Sequence, residues 1–372
     1  MRGKRRNSPE LPDASAGTPE ERRERARQDF TFFRRAYFPH YCLVGGDSRL
    51  HEWLDAELPR MADAPEGVRL AIAAPRGEAK STFVSLFFVL WAVLTGRKHY
   101  ILIIADALEQ AASLLGAVKD ELEFNEALKR DFPGAGKGHV WNVGTVVTPG
   151  NVKIQALGAG KRMRGLRHGP HRPDLIVLDD LENDGNVDKP EQRDKLQSWL
   201  QKTVLNLGAA DGSMDVVYVG TLLHYDSVLA RTLRKPLWKA RTFRSILRWP
   251  DRMDLWDAWE SLLSSRGEAE ARRFYRQHRA KMEAGAEVSW PASRPLYRLM
   301  CLRAEDREAF DSEQQNDPLS ANEAPFNGCI TFWVDRSRDW LLFGAVDPSL
   351  GKQGAGRDPS AILVGGFLRE SM

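Results

Sequence analysis

Ala74-Pro75-Arg76-Gly77-Glu78-Ala79-Lys80-Ser81-Thr82 follows a β-like run, Val68–Ala73, and opens an apolar stretch, Phe83–Leu94. A strand, a short turn containing glycine and a Lys-Ser pair at the head of a helix make the setting of a phosphate-binding loop. Backbone N–H groups there point at an anion, and the helix N-terminus favours negative charge. Lys80 is placed to reach the β- and γ-phosphates of ATP, and the Ser81 hydroxyl to hold Mg²⁺. Arg76, Gly77, Glu78, Ala79 and Thr82 complete the cradle. The letters depart from GxxxxGK[ST], because Ala74 and Ala79 stand at both glycine positions and only Gly77 lies inside the loop. An ordinary turn before a helix would use the same letters, so the reading needs a second motif.

Leu175-Ile176-Val177-Leu178-Asp179-Asp180-Leu181-Glu182 supplies it. Four apolar residues form a buried strand, and carboxylates appear where it ends. In parallel sheets, ligands gather at the carboxyl ends of strands. Asp179 is the candidate for the Mg²⁺ shell. Either Asp180 or Glu182 is the candidate that activates the attacking water, and the sequence leaves that choice open. A third apolar run, Val216–Val219, leads to Gly220-Thr221, where a polar side chain can sense the γ-phosphate.

Working outward, strands and helices alternate. Tyr100–Ala105, Val152–Leu157, Leu175–Leu178 and Asp215–Val219 read as strands. Ser48–Met61, Ser81–Thr95, Ala107–Arg130 and Glu191–Leu205 read as helices. Such alternation predicts a mostly parallel sheet covered on both faces, in the RecA/ASCE-like manner of P-loop NTPases. From Trp249 the pattern becomes helical and charged, and strands return only at Trp340–Val346 and Ala361–Phe367. The expected organisation is a disordered basic tail over 1–27, an ATPase domain over 28–248, a helical linker over 249–338, and over 339–372 the first hairpin of a further domain.

Composition narrows the class. The 372-residue chain carries 54 Lys/Arg against 51 Asp/Glu, so its net charge says little. Residues 1–27 hold eight cations against five anions and account for the whole excess. Nucleic-acid binding therefore rests on local clusters. Lys161–Arg167 contains no acid, and Arg231–Arg252 carries eight cations against one acid. The three cysteines, Cys42, Cys301 and Cys329, are scattered, with no zinc or redox pair. The longest apolar run, 12 residues, falls short of the ~20 a membrane span needs. No signal peptide opens the chain, and a reducing cytosol is the expected compartment.

Several pieces, in order, resemble the phage terminase large subunits: APRGEAKST, MRGLRHGPHRPDLIVLDDLEND, VYVGTLLHYDS, FYRQHRAKM, VSWP, FDSEQQNDP and FGAVDPSLGKQGAGRDPSAILVGG. Together they cover roughly residues 28–372. The most specific is an Arg-Gly shortly before Pro-Asp-hydrophobic-Asp-Asp-Leu-Glu-Asn, supported by FxxExxNxP at Phe310, Glu313, Asn316 and Pro318. The resemblance implies an ATP-driven motor that moves double-stranded DNA into a procapsid. It also implies a C-terminal ribonuclease H-like nuclease using Mg²⁺ or Mn²⁺. Implied partners are DNA, the portal and procapsid, a small terminase subunit and further copies of the chain in a ring, in the cytoplasm of a bacterial host. Lys80, Ser81, Asp179 and Asp180 take the roles given above. Arg164 matches the arginine supplied in trans to a neighbouring subunit, and Arg76 is a second phosphate-facing arginine. Asp347, ending the strand Leu341–Val346, matches a nuclease metal ligand. Some thirty residues from there to Met372 are too few for that domain, so the chain is expected to carry an incomplete nuclease. Two other readings remain open at this stage: a two-RecA-domain helicase, and a non-catalytic DNA-binding or assembly protein with a decayed P-loop.

Overall fold

The computed structural model describes residues 17–42, 45–318, 340–347 and 361–368. These fall into two compact units, one within Met1–Ser320 and the other within Ala321–Met372.

The first unit begins with α1 (Pro19–Gln28) and α2 (Phe30–Tyr37), followed by α3 (Arg49–Ala62) and β1 (Arg69–Ala73). A π-helical stretch, Thr82–Phe88, runs into α4 (Val89–Leu94). Next come β2 (Tyr100–Ala105), α5 (Leu108–Phe124), α6 (Glu126–Asp131), β3 (Val140–Trp141), β4 (Thr145–Val147), β5 (Lys153–Gly158) and β6 (Leu175–Asp179). They are followed by α7 (Asp184–Val187), α8 (Pro190–Lys202), β7 (Asp215–Gly220), α9 (Val228–Leu233), β8 (Lys239–Thr242) and β9 (Ile246–Arg248). The helical part holds α10 (Met253–Arg266), α11 (Glu268–Met282), β10 (Glu287–Val288), α12 (Leu296–Glu305) and α13 (Arg307–Gln315).

Eight strands form one sheet in the order β3-β4-β5-β2-β6-β7-β1-β8. From β5 to β8 every neighbouring pair is parallel, and β3 and β4 are added antiparallel at one edge. This is the mostly parallel, two-sided α/β sheet that the alternation predicts. The central strands are apolar along their length because both faces are covered. Ile72, Ile101, Ile103, Val177 and Val219 face one core, shared with Phe33, Leu54, Phe88 and Trp91. Tyr100, Leu102, Ile176, Leu178 and Tyr218 face the other, against Leu200, Val204 and Leu229. Each such side chain contributes roughly 1.5–3 kcal/mol on burial. The helical part has its own core, built on Trp256, Trp259, Tyr275, Leu299 and Phe310. Among the described residues, no helix is long and apolar enough to cross a membrane.

The structure differs from the sequence reading at several places, each with a local cause. Residues 19–27, expected in the disordered tail, lie in α1. Thr18 and Glu21 form a capping box there, and Arg22 reaches the buried Asp131. The single helix expected over Ala107–Arg130 breaks at Asn125, whose side chain caps α6. Three strands toward the sheet edges gave no periodic signal: β3 and β4 are two and three residues long, and β8 is exposed along its length. Residues 1–16 of the expected tail lie outside the described residues, as do 319–338 of the expected linker.

In the second unit, β11 (Trp340–Asp347) and β12 (Ala361–Leu368) pair antiparallel, with Asp347 opposite Ala361.

Candidate nucleotide-binding site

The sheet order places β7 between β1 and β6, so three strand ends meet at one edge. Backbone bonds fix them there. Ala74 N donates to Gly220 O, and Asp180 N to Val219 O. Residues from far apart in the chain, 74–82, 179–182 and 221, are thereby brought together.

The turn after β1 holds two residues in the left-handed region. Gly77 has φ 78°, and Ala79 has φ 56°. The left-handed region favours glycine, so Ala79 holds the conformation that the missing glycine would supply, with a side chain added. Lys80 follows, only 6% exposed, with Nζ 3.2 Å from Thr221 Oγ1 and 3.3 Å from Asp180 Oδ2. Thr221 in turn donates to the Ala74 carbonyl. One ammonium thus joins the ends of β1, β6 and β7.

Asp179 is fully buried at the end of β6. Its Oδ1 accepts from Ser81 Oγ at 2.9 Å and its Oδ2 from Ser85 Oγ at 2.5 Å. Burial pushes its carboxyl up to about 6, helped by the neighbouring Asp180; the two serines and Lys80 oppose the shift. Ser85 was not singled out in the sequence. Its signal is the four-residue spacing from Ser81, which puts both hydroxyls on one face of the helical stretch. A hydroxyl and a carboxylate side by side at the phosphate loop are the oxygen donors Mg²⁺ takes when substrate phosphates complete its shell. Ser81 and Asp179 therefore fit such an ion. No group of three or more His, Cys, Asp or Glu suited to a metal occurs among the described residues.

Asp180 and Glu182 differ in their surroundings. Asp180 has φ 44°, faces Lys80 and, with Arg76, Lys80 and Thr221, lines a cleft at this edge of the sheet. Glu182 also lines the cleft, but its carboxylate accepts from Val228 N at 2.7 Å, Leu229 N at 3.0 Å and Tyr218 Oη at 3.2 Å. Burial raises the Glu182 carboxyl above its usual range, and the α9 amides oppose that.

Asp106, which the sequence reading missed, directly follows β2 and lines the same cleft. Asn183 and Asn186 donate to its two carboxylate oxygens. A lone acid after the run YILIIA was the available signal. Glu313, quoted in the sequence only as part of FxxExxNxP, also lines the cleft. It holds Arg76 twice, through its carbonyl and through a 2.9 Å bond to Nη1. Asn316 of the same motif accepts from Leu222 N and donates to Phe243 O, which seats α13 on the end of β7.

The other predicted residues lie elsewhere. Glu78 is buried behind the loop, and Thr82 starts the helical stretch. Arg164 sits exposed in the β5–β6 connection, beside Gly165 at φ 80°, and does not line the cleft. Asp347 belongs to the second unit, and the described residues give only its place at the end of β11.

No family model matches the chain, and no curated protein matches it. Among solved structures, it is similar to the large terminase ATPase domain of a Thermus phage. The identity is 15% and the TM-score 0.35, over 70% of this chain and 92% of that one. An arginine-to-alanine mutant of the same domain gives 14% identity and a TM-score of 0.34, over 68% and 90%.

Proposed function

We propose that the chain is an ATP-hydrolysing motor of the terminase large-subunit type, which drives double-stranded DNA into a procapsid. The observation that carries the ATPase half is the convergence at one sheet edge of Lys80 on Thr221 and Asp180, and of Ser81 and Ser85 on Asp179. A buried cation next to a hydroxyl–carboxylate pair suits a triphosphate with its metal better than any other ligand class. The triphosphate would lie along the loop amides, with Lys80 exchanging Asp180 for phosphate oxygens. Mg²⁺, held by Ser81 and Asp179, would neutralise charge developing on the phosphates. Asp180, released from Lys80 and open to the cleft, would accept the proton of the attacking water. Glu182 already serves three donors, which favours Asp180 for that task and a bracing role on α9 for Glu182. Ala79 does not argue for a decayed loop, since it keeps the left-handed backbone.

The DNA-packaging half rests on the sequence resemblance. On that reading Arg164, exposed and outside its own cleft, would complete the site of a neighbouring copy in a ring. The arginine-rich segments would lie along DNA phosphates. Portal, procapsid and small subunit would be its partners, in a bacterial cytoplasm. Asp347 would bind a nuclease Mg²⁺ or Mn²⁺. The test is ATP turnover by the purified chain, alone and with DNA and procapsids. Turnover stimulated by procapsids supports the motor, and turnover indifferent to them refutes it.

A further inference from the structure

Glu78 lies in the middle of the phosphate loop yet turns away from the cleft. It is 0% exposed, and among the described residues its Oε1 has no hydrogen-bond partner. Its Oε2 accepts from Ser289 Oγ, just after β10 in the helical part. A buried, half-satisfied carboxylate is a costly thing for a ligand loop to keep, and any polar surface would spare it.

The bond to Ser289 is one link in a ring that starts and ends on the loop. Ser289 N donates to the Ser245 carbonyl, and Ser245 N donates to the Gln314 carbonyl. The side chains of Ser245 and Arg294 both donate to Gln314 Oε1. The Arg294 guanidinium closes the ring on Gly77, where an added Cβ would lie 1.9 Å from Nη2. From behind, the His51 ring bonds the Glu78 carbonyl through Nε2 at 2.9 Å, and it stacks on Phe83 at 4.3 Å. The loop is thus held on one side by α3 and on the other by the helical part.

We propose that Glu78 is a positioning residue that ties the phosphate loop to the helical subdomain, so that occupancy of the loop is transmitted to the Ser289–Arg294 segment. The inference rests on the ATP-binding reading. A triphosphate draws the loop amides toward it. The ring cannot follow without shifting Ser289 and Arg294 or breaking the Glu78–Ser289 bond. Chemistry at the β1 edge thereby reaches a subdomain with its own core, which a motor requires.

The test uses the full chain with a non-hydrolysable ATP analogue and Mg²⁺. Analogue affinity and amide hydrogen exchange over residues 287–296 are measured together. In wild type, binding should slow exchange there by about tenfold. Glu78→Gln, which keeps the shape and the bond to Ser289, should behave the same. Ser289→Ala, which lies outside the loop, should bind the analogue within about tenfold of wild type but lose the exchange response, and Glu78→Ala should lose that response too. Ser289→Ala leaves the loop sequence intact and serves as the second, independent break. The proposal is overturned if either alanine variant keeps the full response. It is also overturned if wild type binds the analogue with no response. A wild-type chain that binds no analogue overturns the ATP reading itself, and this inference with it.

Discussion

Ala79→Gly should make the protein more stable, against the usual expectation for a change to glycine. Ala79 sits at φ 56° inside the loop. A left-handed residue with a Cβ carries roughly 1–2 kcal/mol of strain. Glycine removes that strain and costs about 0.5–1 kcal/mol in the entropy of the unfolded chain. The balance is a gain of about 0.5–1 kcal/mol. Gly77→Ala is the opposite case in the same loop. Its φ of 78° adds strain, and its Cβ would displace Arg294 from a position 1.9 Å away. The cost is roughly 1–3 kcal/mol, since the end of a long side chain can yield at the expense of its bond to Gln314. Urea unfolding followed by tryptophan fluorescence reads both. If Ala79→Gly destabilises by 0.5 kcal/mol or more, the loop does not have the phosphate-binding backbone argued from these dihedrals.

Four further outcomes are expected. Asp180→Asn should still bind ATP–Mg²⁺ but turn over at least ~10²-fold more slowly in steady-state assays. Glu182→Gln should mainly lower thermal stability through α9, and a dead Glu182→Gln with an active Asp180→Asn would reverse the assignment. Mixing inactive Lys80→Ala with inactive Arg164→Ala subunits should restore part of the ATPase activity, because a mixed contact pairs an intact loop with an intact arginine. No rescue at concentrations where the chain oligomerises would leave Arg164 as a DNA-backbone contact or a solvated residue. Asp131→Asn should destabilise by about 3 kcal/mol, because it breaks a buried pair with Arg22. Burial opposes the shift, yet hydrogen bonds from Arg22, Arg130 and Tyr37 hold the Asp131 carboxyl well below its ordinary 3.8. Its contribution is therefore present above about pH 4 and lost as pH falls further, so the acid limb of wild-type stability should flatten in the variant.

The parts of the fold that the sequence revealed are those with a strong periodic or apolar signature. YILIIA, LIVL and VVYV are buried on both faces and appear as central strands. The runs that carry little hydrophobic pattern were invisible. Lys239–Thr242 is an edge strand by hydrogen bonding alone. Asn125 ends a helix through its own side chain, which averaged propensity does not register. At the site, Lys80, Ser81, Asp179 and Thr221 could be named because each stands directly at a strand or helix terminus. Asp106 follows the same logic, and Ser85 follows the four-residue spacing from Ser81; both were missed for want of a motif letter. Glu78 read as one more loop residue, and only burial distinguishes it. The pairing of Arg76 with Glu313 joins residues 237 apart, which no local pattern encodes.

The most direct test of the central claim is ATP binding and hydrolysis by Lys80→Ala beside wild type. Among the described residues, the polar partners of Lys80 Nζ are Thr221 and Asp180 at the cleft edge, so its removal should leave the circular dichroism spectrum unchanged. As an ATPase, the wild-type chain should turn over ATP in a Mg²⁺-dependent way that disappears in Lys80→Ala, with nucleotide affinity reduced. Turnover by Lys80→Ala at the wild-type rate would contradict it.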